Sequence, residues 1–302
     1  MIALALGGLL ACPAVQELRT QERWELIAIN QDLSVLDAQL TVGNTGWLRG
    51  QGTVSLDWLI RDQSPLRFLR TGLPEETETL THGGLLVGPD ALRHEDDGTW
   101  TLAIRDAETR AQLTLRPFLG GPAPVPWPEA PDAWTVAAPV VLGEVQGMVA
   151  SGSRSTLVDA RGVLTRRRGD SPPALRGTAR LAVYVLGEGV AIGLDGSGPQ
   201  AMSWAVVGDL ALDARDARLT RGKQKGRLVL DLRPTADLVA HILPRQPRAV
   251  RSPWTHLHRL ERWVLGAWLG TPTRRTQGAR AQLVMGGERS EARAVIVEER
   301  FE

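Results

Sequence analysis

Residues 100–116 read Trp100-Thr-Leu-Ala-Ile-Arg105-Asp-Ala-Glu-Thr-Arg110-Ala-Gln-Leu-Thr-Leu-Arg116. Trp100, Leu102 and Ile104 alternate with Thr101, Ala103 and Arg105. After Asp106-Ala107-Glu108, Leu113 and Leu115 alternate with Gln112, Thr114 and Arg116. A period of two with a short polar break between the runs predicts an antiparallel hairpin, one face inward. The same period opens the chain from Trp24: Trp24, Leu26 and Ala28 on one face, Glu25, Ile27 and Ile29 on the other. Turn residues recur at Gly43-Asn44, Gly50-Gln51-Gly52 and Asp96-Asp97-Gly98. Many short strands joined by hairpin turns imply an all-β sandwich or barrel.

Between Gly120 and Pro131 five prolines fall in twelve residues. Proline fixes φ and removes a ladder donor, so this stretch predicts a stiff, extended connector and a domain boundary. Strand patterns resume near Trp134 and recur at 140–150, 175–186, 201–211, 227–232, 279–285 and 292–297. One segment breaks the pattern. Ser252-Pro253 reads as an N-cap with a first-turn proline, and Trp254, Leu257, Val264, Leu265 and Trp268 share a helical face before Gly270 and Pro272. This predicts one helix over about 252–268, either a plug or lid for a barrel end or an interfacial anchor. Glu261 within the apolar stripe argues against membrane insertion.

At 302 residues the chain has room for two domains, and 43% hydrophobic with 23% charged residues is globular composition. A net charge of +1 supplies no global field toward nucleic acid. Only two of the 35 basic residues, Lys223 and Lys225, are lysines. Ten Trp stand against three Phe and one Tyr, which suits cores and apolar pockets alike. The single cysteine, Cys12, excludes an internal disulfide and a cysteine zinc site. The five histidines form no i, i+4 pair, and there is no phosphate-binding Gly-rich loop and no Gly-x-Ser-x-Gly elbow. No metal or cofactor is expected. His256 and His258, two apart on the expected helix, point in different directions. Glu188, Asp195, Asp209 and Asp213 could supply a carboxylate pair, though spacing singles out none. Arg166-Arg167-Arg168-Gly169-Asp170 reads as a solvated loop or an anion clamp.

Met1–Ala11 is a short apolar run, and Leu9-Leu10-Ala11-Cys12 resembles a bacterial lipobox. That resemblance implies lipidation of Cys12 and attachment to the periplasmic side of a cell envelope. The alternative is a buried N-terminal element with an incidental cysteine, in a cytoplasmic protein.

Three stretches, in order, resemble the tandem-lipocalin family of AttH-like proteins and hydroxyneurosporene synthase (carotenoid 1,2-hydratase). The first is 93–117, the hairpin above with its approach Arg-His-Glu-Asp-Asp-Gly. The second is 134–169, ending Ala160-Arg-Gly-Val-Leu-Thr-Arg-Arg-Arg-Gly169. The third is Gly278-Ala-Arg-Ala-Gln-Leu, a turn at Gly286-Gly287, and a strand reaching Glu298. In the second stretch the family carries Gly-x-Gly-Tyr-x-Asp-His-x-Trp-Gly. Gly162 and Gly169 keep its glycines, which implies a surviving turn, but Val163, Thr165, Arg166 and Arg168 stand at its aromatic, Asp, His and Trp positions. Hydrating an alkene needs a positioned acid, and neither Thr165 nor a permanently charged arginine supplies one.

The resemblance therefore implies two lipocalin-like antiparallel β-barrels in tandem, 13–128 and 129–302, after a signal over 1–12. It also implies binding or carriage of a lipid, fatty acid or isoprenoid. Trp58 and Trp204, each in an apolar strand segment, are candidate ligand contacts, and Arg166 a candidate for an anionic head group. The alternatives are an enzyme on an apolar isoprenoid or polyketide substrate, and a structural role with both barrels packed solid. A cavity between the barrels, lined by Trp and holding a buried carboxylate, would favour the enzyme, a dry apolar cavity the carrier, and no cavity the structural role.

Overall fold

A computed structural model describes residues 20–43, 51–120, 125–126, 135–170, 179–196, 202–212, 214, 216–222, 226–252, 259–260, 263 and 272–301. They form two antiparallel sheets. The first contains β1 (Thr20–Asn30), β2 (Val35–Gly43), β3 (Gln51–Leu59), β4 (Leu66–Gly72), β5 (Thr77–Thr79), β6 (Gly84–Val87), β7 (Asp90–His94), β8 (Trp100–Arg105), β9 (Thr109–Gly120), β10 (Val125–Pro126), β11 (Thr135–Ser151) and β12 (Arg154–Asp170). Its order is β4-β3-β2-β1-β12-β11-β9-β8-β7-β6-β5, with β10 against β11. The second contains β13 (Ala179–Leu186), β14 (Val190–Gly196), β15 (Met202–Val207), β16 (Leu210–Leu212), β17 (Arg218–Arg221), β18 (Leu228–Asp231), β19 (Leu238–Arg251), β20 (Pro272–Met285) and β21 (Glu288–Phe301). Its order is β16-β15-β14-β13-β21-β20-β19-β18-β17.

Each sheet curls toward a barrel. In the first, the edges β4 and β5 do not pair, and side chains close the seam. Val87 packs where Gly52 and Gly72 leave room: a Cβ at Gly52 would stand 2.5 Å from Thr77 Oγ1, and one at Gly72 2.7 Å from Val87. Arg70 of β4 reaches across to Asp90 at 3.1 Å and to Asp106 at 2.6 Å. In the second, the Ser203 hydroxyl donates to the Ala214 carbonyl, tying β15 to the segment between the edges β16 and β17.

Three apolar cores result. Inside the first barrel Trp24, Trp58 and Trp100 pack among Leu36, Leu56, Leu102, Leu113 and Leu164. Inside the second, the described core is built from Val, Leu, Ile and Ala and holds no aromatic ring. The third lies between the sheets: Ile27, Ile29, Val35 and Val163 meet Ala182, Tyr184, Trp204, Val295 and Val297. At about 1.5–3 kcal/mol for each large buried aliphatic side chain, this third core accounts for the two barrels packing together. Gly278 on β20 admits the contact, since a Cβ there would lie 2.7 Å from the Leu33 carbonyl oxygen.

The alternation in β1 and in the β8–β9 hairpin holds as the sequence predicts. Trp24, Leu26, Ala28, Trp100, Leu102, Ile104, Leu113 and Leu115 all face the first core. Three expectations need correction. Residues 135–170 pair with β1 and β9, so the change of sheet falls after Asp170, before Ala179, and not at the Pro-rich stretch. Within that stretch Val125–Pro126 pairs at the edge with Val136 and Thr135. The arginine run 166–168 is no loop, and the 160–169 segment is no turn: both lie on β12, a 17-residue strand paired along its length with β1 and β11. Of the helix over 252–268, residues 259, 260 and 263 are described and helical, Ser252 is described and not helical, and the others lie outside the described residues. Cys12 also lies outside them.

Candidate functional site

The outward faces of both barrels carry charge where they meet. On the first barrel alternation turns Arg23 and Glu25 (β1), Asp37 (β2), Asp57 (β3) and Arg167 (β12) away from the Trp-filled core. On the second it does the same for Arg180 and Tyr184 (β13), Asp195 (β14), Arg274 and Thr276 (β20) and Glu299 (β21), and Arg251 at the end of β19 joins them. Arg180 forks onto Glu25 across the interface, donating to its two oxygens at 3.0 and 2.7 Å. Arg274 forks onto Asp37 at 3.0 Å twice and reaches Glu25 at 3.1 Å. Arg251 reaches Asp57 at 3.2 Å, and Arg23 reaches Glu299 at 2.9 Å. Arg167 donates to Asp195, which also receives Arg180 at 2.9 Å and the Tyr184 hydroxyl at 2.9 Å. Five arginines thus meet five carboxylates, mostly across the interface, and the pairs Arg180–Glu25, Arg274–Asp37 and Arg180–Asp195 are two-pronged.

Electrostatics fixes the protonation states. Burial pushes the Glu25 carboxyl up, but Arg180, Arg274, Arg167 and Arg23 together outweigh it and hold it well below the usual range. Burial also opposes ionisation of Asp195, yet Arg167 and Arg180 bring it to about 2. Asp37 and Glu299 are lowered in the same way. Asp57 alone is raised, by burial and by neighbouring Asp37. The Tyr184 phenol is pushed well above its ordinary value by burial and by Asp195. At neutral pH the four lowered carboxylates are anions and Tyr184 is neutral, so this cluster holds charge rather than trading protons.

Three buried donors lack a hydrogen-bond acceptor here: Arg251 Nη2 within the cluster and, at its margin, Thr165 Oγ1 and Arg167 Nε. Thr165 Oγ1 and Arg167 Nε belong to side chains on the same face of β12, next to Val163 of the apolar interface. Thr165 stands opposite Glu25 in the β1–β12 register and is fully buried. From Arg167 the contacts run through Asp195 to Tyr184, whose ring lies 5.8 Å from that of Trp204. Trp204 sits flush on β14, because Gly193 leaves no side chain beneath it; a Cβ there would come within 2.0 Å of the indole.

The sequence candidates do not converge. Trp204 belongs to the interface, Trp58 to the sealed core of the first barrel. Trp58 Nε1 is buried with no acceptor. Arg166 is committed: its Nε donates to Glu22 at 3.0 Å and its guanidinium lies 5.0 Å from the centre of the Trp24 ring, while Trp24 Nε1 donates to the same Glu22 at 2.8 Å. That assembly caps one end of the first barrel, with Trp100 stacked on His94 beyond it. Of the four carboxylates considered from sequence, Asp195 enters the buried cluster, Glu188 and Asp209 lie exposed in turns, and Asp213 is outside the described residues. Sequence reading passed over Glu25, Asp37, Arg180, Arg274 and Glu299. The available signal was Glu25 itself, a carboxylate on the strand face that also carries Ile27 and Ile29. Among the described residues no group of three His, Cys, Asp or Glu is placed to hold a metal. An open groove of about 210 Å³ lies on the outside of the second barrel, and another of about 240 Å³ lies where Arg161 of the first barrel comes near Arg293 of the second.

No family model and no curated protein matches the sequence. Solved structures do match its fold. CghA, in a crystal structure with Sch210972, superposes with a TM-score of 0.65 at 10% identity, over 94% of this chain and 89% of that one. A second CghA structure gives 0.64 at 9% identity, over 94% and 89% of the two chains. A protein of Nitrosomonas europaea assigned as AttH (NE1406) gives 0.60 at 11% identity, over 93% and 92%. At such identities the likeness shows the fold alone: an AttH-like pair of lipocalin-type barrels.

Proposed function

We propose that this protein binds an apolar small molecule ending in an acceptor oxygen, such as a fatty acid or an oxygenated isoprenoid, between its barrels beside Trp204. The observation that carries this reading is the pair of buried, unanswered donors, Thr165 Oγ1 and Arg167 Nε. Buried polar groups are rarely left without partners, so two on one strand face point to an acceptor that arrives from outside the chain. The adjoining apolar surface of Val163, Tyr184, Trp204 and partly covered Met202 suits a hydrocarbon body. Trp24, Trp58 and Trp100 occupy the described core of the first barrel.

Binding fits better than proton-transfer catalysis, because the carboxylates nearby are held as anions by their arginines. A second reading, catalysis by polarisation, rests on the same donors: a carbonyl held by a guanidinium N–H and a hydroxyl is activated toward addition. Replacement of Thr165 by valine tests both. The variant keeps the shape and removes one donor. It should fold at least as stably, bind palmitate or farnesal five- to tenfold more weakly, and show whether any turnover falls with affinity. Native mass spectrometry of protein from its own host would identify the resident molecule. Attachment to an envelope through Cys12 belongs to the same proposal, and a Cys12→Ser variant that stays in the membrane fraction would remove it.

A further inference from the structure

The groove of about 240 Å³ takes residues from both barrels, and Trp204 is not among those that line it. It is lined by Arg161 and Asp159 of β12, Glu144 of β11, Arg293 of β21, Gln31 of the β1–β2 turn, Phe118 and Ala160. Arginines elsewhere at the interface are paired with carboxylates. Here, among the described residues, the side chains of Arg161, Arg293, Glu144 and Asp159 make no ion pair or hydrogen bond. Arg161 comes from the first barrel and Arg293 from the second, and the two guanidinium groups repel each other: burial and Arg161 together lower the Arg293 pKa, and Asp32 opposes this. Asp32 is itself occupied, accepting from the Ser34 amide and hydroxyl at 2.9 Å each. Glu144 stands directly opposite Arg161 in the β11–β12 register, with Asp159 two residues away on the same strand face. Phe118, 56% exposed, supplies an uncovered aromatic face at the rim.

We infer that this groove binds a small zwitterion of free amino-acid size, its carboxylate between Arg161 and Arg293, its ammonium toward Glu144 and Asp159, and an apolar side chain against Phe118. A simple anion would leave Glu144 and Asp159 opposing it, and a simple cation would meet two arginines. A molecule bearing both charges satisfies all four residues. The volume is below that of drug-sized pockets and matches a ligand of roughly ten heavy atoms.

Isothermal titration calorimetry of the full chain with L-leucine, 4-methylpentanoate and 3-methylbutylamine tests this directly. The three probes share one carbon frame and differ in charge. Leucine should bind saturably, and each singly charged analogue at least tenfold more weakly. Arg293→Ala and Glu144→Gln should each weaken leucine tenfold or more while circular dichroism stays that of the wild type, as expected for residues without structural partners. No saturable heat with leucine, equal binding of 4-methylpentanoate, or variants that bind as well as wild type would overturn the assignment. Thr165→Val should leave leucine binding unchanged, so failure here and failure of the inter-barrel ligand are separately visible.

Discussion

Glu25 and Arg274 stand 249 residues apart in sequence and 3.1 Å apart in space, each wholly buried and each from a different barrel. Their contact is the centre of a charge cluster that joins the barrels where the apolar interface ends. Removing one member of such a cluster strands the others. Arg274→Met should therefore destabilise the protein by about 3–5 kcal/mol, because Glu25, Asp37 and Glu299 lose a shared counter-charge. Adding Glu25→Gln to that variant should recover part of the loss. Urea unfolding of both single variants and the double variant measures the coupling.

Acid should act through the same residues. Asp195 sits at about 2 in the folded chain against an ordinary value of 3.8, and Glu25, Asp37 and Glu299 are displaced in the same direction. A depressed folded pKa contributes stability that is complete above the unfolded value and lost as pH falls toward the folded one. Stability should hold from pH 7 to about 4 and then drop toward pH 2, Asp195 alone accounting for about 2–3 kcal/mol. Asp57, displaced upward, has the opposite sign: its ionisation costs stability, and acid relieves that cost. Urea midpoints at pH 7, 4 and 2.5 decide it, and a decline beginning near pH 6 would show that the cluster does not control acid stability.

Gly193 predicts a steric effect with no charge in it. Alanine there meets the Trp204 indole at 2.0 Å, and the strand beneath cannot yield without breaking its ladder. Gly193→Ala should cost about 1–3 kcal/mol, the range of overpacked cores, and should displace Trp204. Trp204→Leu in the same chain should relieve the clash, so the double variant should be more stable than the two single effects added together.

Arg70 bridges the seam of the first barrel, where the edge strands β4 and β5 share no ladder. Arg70→Ala leaves Asp90, fully buried on β7, without its cation. A loss of about 1–3 kcal/mol is expected, with faster amide exchange in β4 and β5 than in β1 and β12. Uniform exchange across the sheet would mean that the seam is held by something other than Arg70.

Much of this was legible in the residues. Period-two alternation placed Trp24, Leu26, Ala28 and the whole β8–β9 hairpin on the correct face, since one buried face is enough to impose that pattern. It did not show that Ile27, Ile29 and Glu25 are buried as well. A second buried face comes from a partner barrel, and strand periodicity reports only that two faces differ. The sheet boundary was misplaced because five prolines mark a break in pairing, not a change of sheet: β11 and β12 follow them and return to β1 and β9. Arg166-Arg167-Arg168 looked solvated because three like charges in a row usually are. On a strand they point alternately, Arg166 to Glu22 on the inward side and Arg167 to Asp195 across the interface. The partners lie 144 and 28 residues away, which no local reading reaches.

The central claim is that an apolar ligand lies between the barrels beside Trp204 and not inside the first barrel beside Trp58. Fluorescence titration with palmitate or farnesal of the wild type, Trp204→Phe and Trp58→Phe measures this most directly. The account predicts saturable quenching that largely disappears in Trp204→Phe and persists in Trp58→Phe. Quenching lost in Trp58→Phe but kept in Trp204→Phe, or no saturable quenching in any of the three proteins, would contradict it.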